Sequence, residues 1–411
     1  MAIATKISEL WTAYTIHISR NTTTAQLDIL LKILKNCLQR AGNRNLSIWF
    51  IDYHNIGGVV LDYLRLKYSH RIGALGLKLS EDGADAFLCR SVTAFNELQR
   101  LDIHVQPPLD YTEWEGFWPS PEMLALAPKL SEFVVKYEAW HPLYAPPAPE
   151  GCLRSLGLSL ALLTVIEVTA IWVDYYDYIS IFLECPQLTE CSIYCDEGLA
   201  QPDPLPEPTL LRHLSSLHLT FRALHSHLWD IFDAPNLVDL CITTLSDDDS
   251  DAWNHSKFMN FQERSGFTLI TLALRFDFSH IVHHIIDLLK KSPALENLEL
   301  RWLSAHEEPS EYIQQLIDAL TVHTGEHILP ELARFQIDAT EKTLHMLESR
   351  CAPRSRLTHI TLYDEAPFTP SASFRNAIET LKKTGVTVEE EPMDFYGAEL
   401  MRPFWAGHTS Q

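Results

Sequence analysis

Ser292–Trp302 reads SPALENLELRW, and its reading decides the fold. A proline stands ahead of leucines at Leu295, Leu298 and Leu300, the spacing L-x-x-L-x-L. Period-two alternation makes this a strand whose last two leucines share one face. The preceding run Ile281–Lys291 (IVHHIIDLLKK) has helical periodicity and stops just before Pro293. Helix, proline, short strand is therefore the local phrase.

The phrase recurs. Ten further apolar triplets keep its spacing, from Ile72/Leu75/Leu77 to Leu357/Ile360/Leu362, with Leu153/Leu156/Leu158 and Leu188/Cys191/Ile193 among them. In so apolar a chain the triplets alone prove little, and two other features carry the weight. Proline stands two residues before the first apolar member in five of the eleven: Pro128, Pro186, Pro235, Pro293 and Pro330. With 23 prolines in 411 residues, chance supplies fewer than one. The middle positions of successive triplets lie 23 to 37 residues apart, room for one strand and one helix or loop.

Outside the triplets, Thr24–Arg40 reads as an amphipathic helix that Thr22–Thr24 can cap and Gly42 can end, and Leu46–Ile51 reads as a strand. Helices are also expected over Glu311–Val322, Lys342–Glu348, Ser373–Lys383, Asp174–Glu184 and Leu224–Asp233. Strands alternating with crossover helices pair in parallel. The expected fold is α/β: a leucine-rich-repeat-like solenoid, or horseshoe, with a curved parallel sheet and irregular outer helices and loops. Residues 1–388 are expected to form one solenoid, with a helix–strand unit over 1–60 and irregular repeats over 72–388. Residues 389–411 lack periodicity and read as a tail. Tyr111–Pro121, Trp140–Pro149 and Gln201–Pro208, rich in aromatics or proline, read as loops.

Composition narrows the function. The net charge of −22 argues against nucleic acid as a main partner, since phosphate contacts need a basic face. No run of eighteen apolar residues suggests a membrane span, and MAIATKISELWTAY lacks the form of a secretory signal. The eight cysteines form no C-x-x-C and read as buried reduced thiols, which points to the cytoplasm or nucleus. The glycosylation pattern at Asn254-His-Ser carries no weight without a signal.

Chemistry is sparse. No phosphate loop, dinucleotide fingerprint or nucleophile elbow occurs, so no catalytic residue and no cofactor is expected. Asp247, Asp249 and Asp251 open like a calcium loop, but Ala252 and Phe258 stand where glycine and glutamate are needed. His280, His283 and His284 have helical spacing suited to a metal but no third ligand, and His323 and His327 flank a glycine in a loop; no metal site is assigned.

One surface feature rises above this background. In a horseshoe, the residue after the last apolar member of each triplet faces the concave surface. Here those positions include Lys78, His104, Lys136, Ser159, Tyr194, Arg275, Arg301 and Tyr363. Four of the eleven are Lys or Arg, where 32 in 411 residues predicts about one. Such a stripe suits an acidic or phosphorylated segment of a protein partner. The alternative is a polar strand exterior with lysines that discourage edge pairing. Trp114, Phe117 and Trp118 form a second candidate contact, or cap a solenoid edge.

The repeats resemble leucine-rich repeats, without the usual asparagine or cysteine after the strand; Leu303 and Arg222 stand there instead. Ser8-Glu9-Leu10-Trp11, followed by Tyr14-Thr15-Ile16-His17-Ile18, resembles the segment after the F-box in fungal F-box proteins with leucine-rich-repeat-like bodies. The F-box itself is absent from the sequence. The resemblance implies a non-enzymatic substrate-recognition part of an F-box-type ubiquitin ligase subunit, with the F-box missing. An Skp-type adaptor is then a partner only if an F-box lies upstream. The alternative is a stand-alone leucine-rich-repeat-like scaffold with no ligase role.

Overall fold

Five repeats share one hydrogen bond that explains their prolines. The backbone N–H of Leu130, Leu188, Leu237, Leu295 and Leu332 donates to the carbonyl three residues earlier, at 3.1–3.3 Å. Each bond closes a β-turn immediately before a strand. Pro128, Pro186, Pro235, Pro293 and Pro330 occupy the second turn position. That site wants φ near −65° and needs no N–H, so proline presets the turn.

The computed structural model describes residues 11–88, 94–106, 126–137, 158–195, 207–221, 226–244, 253–276, 281–301, 311–322, 328–338, 341–350, 356–364 and 372–392. The chain divides into two compact units, Met1–Gln201 and Pro202–Gln411.

In the first unit the strands are β1 (Ala13–His17), β2 (Leu46–Asp52), β3 (Ile72–Ser80), β4 (Arg100–Gln106), β5 (Glu132–Tyr137), β6 (Val165–Val173) and β7 (Glu190–Cys195). Each pairs in parallel with the next, in chain order. Helices α1 (Thr24–Arg40), α2 (Gly58–Tyr68), α3 (Glu81–Leu88) and α4 (Tyr175–Glu184) connect them. Thr23 caps α1 through a capping box with Gln26, and Asp174 caps α4.

The second unit repeats the plan. After β8 (Thr209–Leu210) come β9 (Ser216–Phe221), β10 (Phe232–Asp233), β11 (Asp239–Thr244), β12 (Thr271–Arg275), β13 (Asn297–Arg301), β14 (Arg334–Asp338), β15 (His359–Asp364) and β16 (Thr387–Pro392). β8 and β10 form a small separate ladder, and the other seven pair in parallel in chain order. Helices α5 (His255–Ser265), α6 (Val282–Lys290), α7 (Glu311–Leu320), α8 (Glu341–Arg350) and α9 (Ala372–Lys383) provide crossovers. Strand order equal to chain order, with a crossover in each repeat, is the leucine-rich-repeat-like α/β solenoid that the spacing predicts.

The leucine phase builds the core. Phe50, Leu77, Ile103, Val135, Val168 and Ile193 stand in register across the first unit, each at most 1% exposed. Leu219, Ile242, Leu274, Leu300, Ile337 and Leu362 do the same in the second. Each such side chain removed from water contributes roughly 1.5–3 kcal/mol.

Three readings are corrected. The strand between β5 and β7 is β6, whose triplet is Leu163/Ile166/Val168; of the expected triplet, Leu158 stands outside any strand, and Leu153 and Leu156 lie outside the described residues. Leu158 and Ser159 precede a short 3-10 turn at Leu160–Leu162. Residues 389–392, assigned to the tail, complete β16, where Glu389 pairs with Thr361. The helix expected over Leu224–Asp233 is a 3-10 turn at Ser226–Asp230 followed by β10.

Candidate functional site

The strand face opposite the leucines carries the charged residues. In the first unit, Lys78, His104 and Lys136 are register neighbours on β3, β4 and β5. All three are half-buried. His104 Nε2 lies 2.8 Å from Asp102 Oδ1, and Arg100 Nη2 lies 3.1 Å from Asp102 Oδ2. Burial pushes the Asp102 carboxyl upward, but His104 and Arg100 outweigh it and hold it below the usual carboxylate range. Lys136 Nζ meets Glu167 Oε1 at 2.7 Å. The Trp49 ring stands edge-on to His104, with centroids 6.2 Å apart. Trp49 also lies across Gly76, its register partner, where an added Cβ would meet the indole at 2.4 Å. Glycine here admits the aromatic ring.

In the second unit, Arg275 and Arg301 are register neighbours on β12 and β13, and Asp338 and Tyr363 are neighbours on β14 and β15. The Arg275 fork donates to Glu299 in a bidentate pair, Nε to Oε1 at 2.7 Å and Nη2 to Oε2 at 2.8 Å. Burial works against this guanidinium, yet the Glu299 charge outweighs it and raises the Arg275 pKa. The Arg301 guanidinium lies 4.0 Å over the Tyr363 ring centroid. Tyr363 in turn donates its hydroxyl to Gln336 Oε1 at 2.5 Å.

Lys78, His104, Lys136, Arg275, Arg301 and Tyr363 lie in the register rows opposite the leucines, but not all of them are exposed. Tyr194, Arg275, Arg301 and Tyr363 are 4%, 5%, 1% and 6% exposed, so they form no open basic stripe. Ser159 lies off the row altogether, outside any strand. Asp102, Glu167 and Glu299 were missed. A signal for two of them existed: Asp102 and Glu299 stand two residues before His104 and Arg301, which puts them on the same strand face.

A second constellation joins α5 and α6. His255 and His284 stack with centroids 4.5 Å apart and planes at 5°, and His283 lies 3.9 Å from His284. His255 Nε2 meets Asp287 Oδ2 at 2.9 Å. His283 and His284 therefore meet a third imidazole from another helix, which helical spacing alone did not show. Among the described residues, no group of three or more His, Cys, Asp or Glu side chains has the placement to hold a metal ion. Asn254 of the glycosylation pattern is the N-cap of α5, and Phe258 of the failed calcium loop is fully buried in it.

Of the described cysteines, Cys185, Cys191, Cys195 and Cys241 are buried. Burial pushes the Cys185 and Cys241 thiols up to about 12 and about 11, and that of Cys191 higher still, so they are inert apolar side chains. No helix among the described residues is long and apolar enough to cross a membrane. Trp114, Phe117, Trp118, the aspartates at 247, 249 and 251, His280, His323 and His327 lie outside the described residues.

No family model matches the sequence, and no curated protein matches it. Among solved structures, a leucine-rich repeat-containing protein, LegL7 from Legionella pneumophila, is similar at a TM-score of 0.36 and 11% identity, over 90% of this chain and 98% of that one. A protein from Bacteroides fragilis is similar at a TM-score of 0.37 and 11% identity, over 94% of this chain and 89% of that one. At these values the likeness carries no weight, and the fold rests on strand order and register.

Proposed function

We propose that this chain is a non-enzymatic protein-binding module that uses the face of its parallel strands opposite the leucines. The observation that carries the reading is the register row Lys78–His104–Lys136, half-buried beside Trp49. A strand face of aligned cationic and aromatic side chains fits an acidic segment of a protein partner, by charge complementarity and by contact with the indole. The carboxylates Asp102 and Glu167 hold His104 and Lys136 in place on that face.

The finer reading is substrate recognition in an F-box-type ubiquitin ligase. It rests on the resemblance of residues 8–51 and is supported by the order β1, α1, β2, which that segment implies. A stand-alone scaffold is the alternative.

The test is affinity capture with the full chain and with a Lys78→Glu/Lys136→Glu variant that keeps the same melting temperature. Partners retained by the first and lost by the second support the reading; identical partner sets refute it. Binding of a purified Skp-type adaptor separates the ligase reading from the scaffold.

A further inference from the structure

Arg301 presents a buried fork whose Nε/Nη2 edge meets no acceptor among the described residues. The residue is 1% exposed, yet its Nε and Nη2 are buried and have no hydrogen-bond partner among the described residues. These two atoms form the edge that Arg275, one strand away, uses to grip Glu299. Arg275 takes both Glu299 oxygens, so that carboxylate is committed elsewhere. The Tyr363 ring, 4.0 Å away, supports the flat face of the Arg301 guanidinium but offers its edge no acceptor. A buried guanidinium edge without an acceptor calls for an occupant, since both its charge and its N–H groups have lost water.

We propose that the Arg301 fork is a carboxylate-binding site, filled by an aspartate or glutamate side chain from an acidic segment of a protein partner. Three observations select this occupant. The Nε/Nη2 edge matches two carboxylate oxygens, as the adjacent Arg275–Glu299 pair demonstrates at 2.7 and 2.8 Å. The charges on this face of β12 to β14 are three cations, Arg275, Arg301 and Arg334, against Glu299 and Asp338, so a monoanion completes the balance and a phosphate dianion exceeds it. The stacked ring fixes the guanidinium plane before binding, which lowers the ordering cost. Because the fork is closed to solvent, binding requires a local opening and is slow to associate. The assignment rests on the reading that this strand face binds a protein, and it names the receptor group for that partner.

The experiment uses the full chain and its Arg301→Met and Arg301→Lys variants. Thermal unfolding is followed in sodium acetate against sodium chloride at equal ionic strength. Binding is then measured for a synthetic peptide of alternating glutamate and glycine, and for its glutamine and phosphoserine counterparts. The expected result is a rise in melting temperature with acetate for the parent chain, none for Arg301→Met and a smaller one for Arg301→Lys. The glutamate peptide binds the parent at least about tenfold more tightly than Arg301→Met, and the glutamine peptide does not bind. Equal responses of parent and Arg301→Met overturn the proposal. So does a parent chain that shows no acetate response while Arg301→Met melts far below it in chloride, which means the fork is already satisfied within the chain. An acetate response without peptide binding, or binding of the phosphoserine peptide alone, overturns the assignment to an acidic protein segment. If captured partners are lost with Lys78→Glu/Lys136→Glu but retained by Arg301→Met, the binding function stands and this inference falls.

Discussion

Glu299 is where charge and burial meet most sharply. It is 0% exposed, and both its oxygens are held by Arg275. Removing its charge leaves Arg275 buried and uncompensated, so Glu299→Gln is expected to lower unfolding free energy by about 3–5 kcal/mol. Replacing both partners, as Arg275→Met/Glu299→Leu, is expected to be far milder, because no orphan charge remains. Arg356→Ala, which breaks the exposed Arg356–Glu331 pair, serves as the contrast and is expected to cost at most about 1 kcal/mol. Urea unfolding of the four proteins checks the ranking; a Glu299→Gln chain as stable as the parent would contradict it. The alternation of Ser292–Trp302 marks Glu299 and Arg301 as facing away from the leucines. It carries no information about what lies over them, which is why an open basic stripe was expected and a buried ion pair was found.

At the scale of the element, helix boundaries follow local chemistry and helix contacts do not. Ile281–Lys291 is legible because Val282, Ile285, Leu288 and Leu289 form one buried stripe. α5 was missed, since its apolar content is two phenylalanines and one methionine among polar residues; its start at Asn254 and its end at Gly266, with φ +69°, are ordinary capping signals. The packing of α5 against α6 creates the imidazole stack, and with it a pH dependence. Burial, then the neighbouring His283 and His255, lower the His284 pKa, while Asp287 works the other way. The folded value lies below the unfolded value near 6.5, so the unfolded chain binds the proton more readily. Stability from this group is complete above that value and is lost as pH falls from about 6.5 through the lower folded pKa. His284→Gln is expected to flatten the decline in melting temperature between neutral and mildly acidic pH. An unchanged profile would show that the stack does not govern it.

At the scale of the whole molecule, the chain is a succession of similar units whose stability is a sum of neighbour terms. Leu298 is fully buried between its register partners Leu272 and Phe335. Leu298→Ala is expected to destabilise by about 2–5 kcal/mol, from lost burial and the cavity left behind. In a solenoid that loss is local: hydrogen exchange is expected to rise in β12, β13 and β14 and to stay unchanged in β2, β3 and β4. A uniform rise over both units would show that they unfold as one.

By itself, the sequence determined the repeat. Leucine spacing selects the strand face and length, and proline in the second turn position fixes where five of the strands begin, because both act within a few residues. It also determined α1, α4, α6, α7 and the strand face on which Lys78, His104 and Lys136 lie in the first unit and Arg275 and Arg301 in the second. Only the tertiary structure decided that the strand between β5 and β7 runs through Ile166 and Val168, which pair with neighbours on both sides. It alone decided that Thr387–Pro392 is a strand, since only pairing with β15 orders that acidic stretch. And it alone decided that Arg275 is spent on Glu299 while the Arg301 fork is buried with no acceptor among the described residues. Periodicity specifies the face on which a side chain lies; burial and pairing depend on what chain folding brings over that face, which no local spacing encodes.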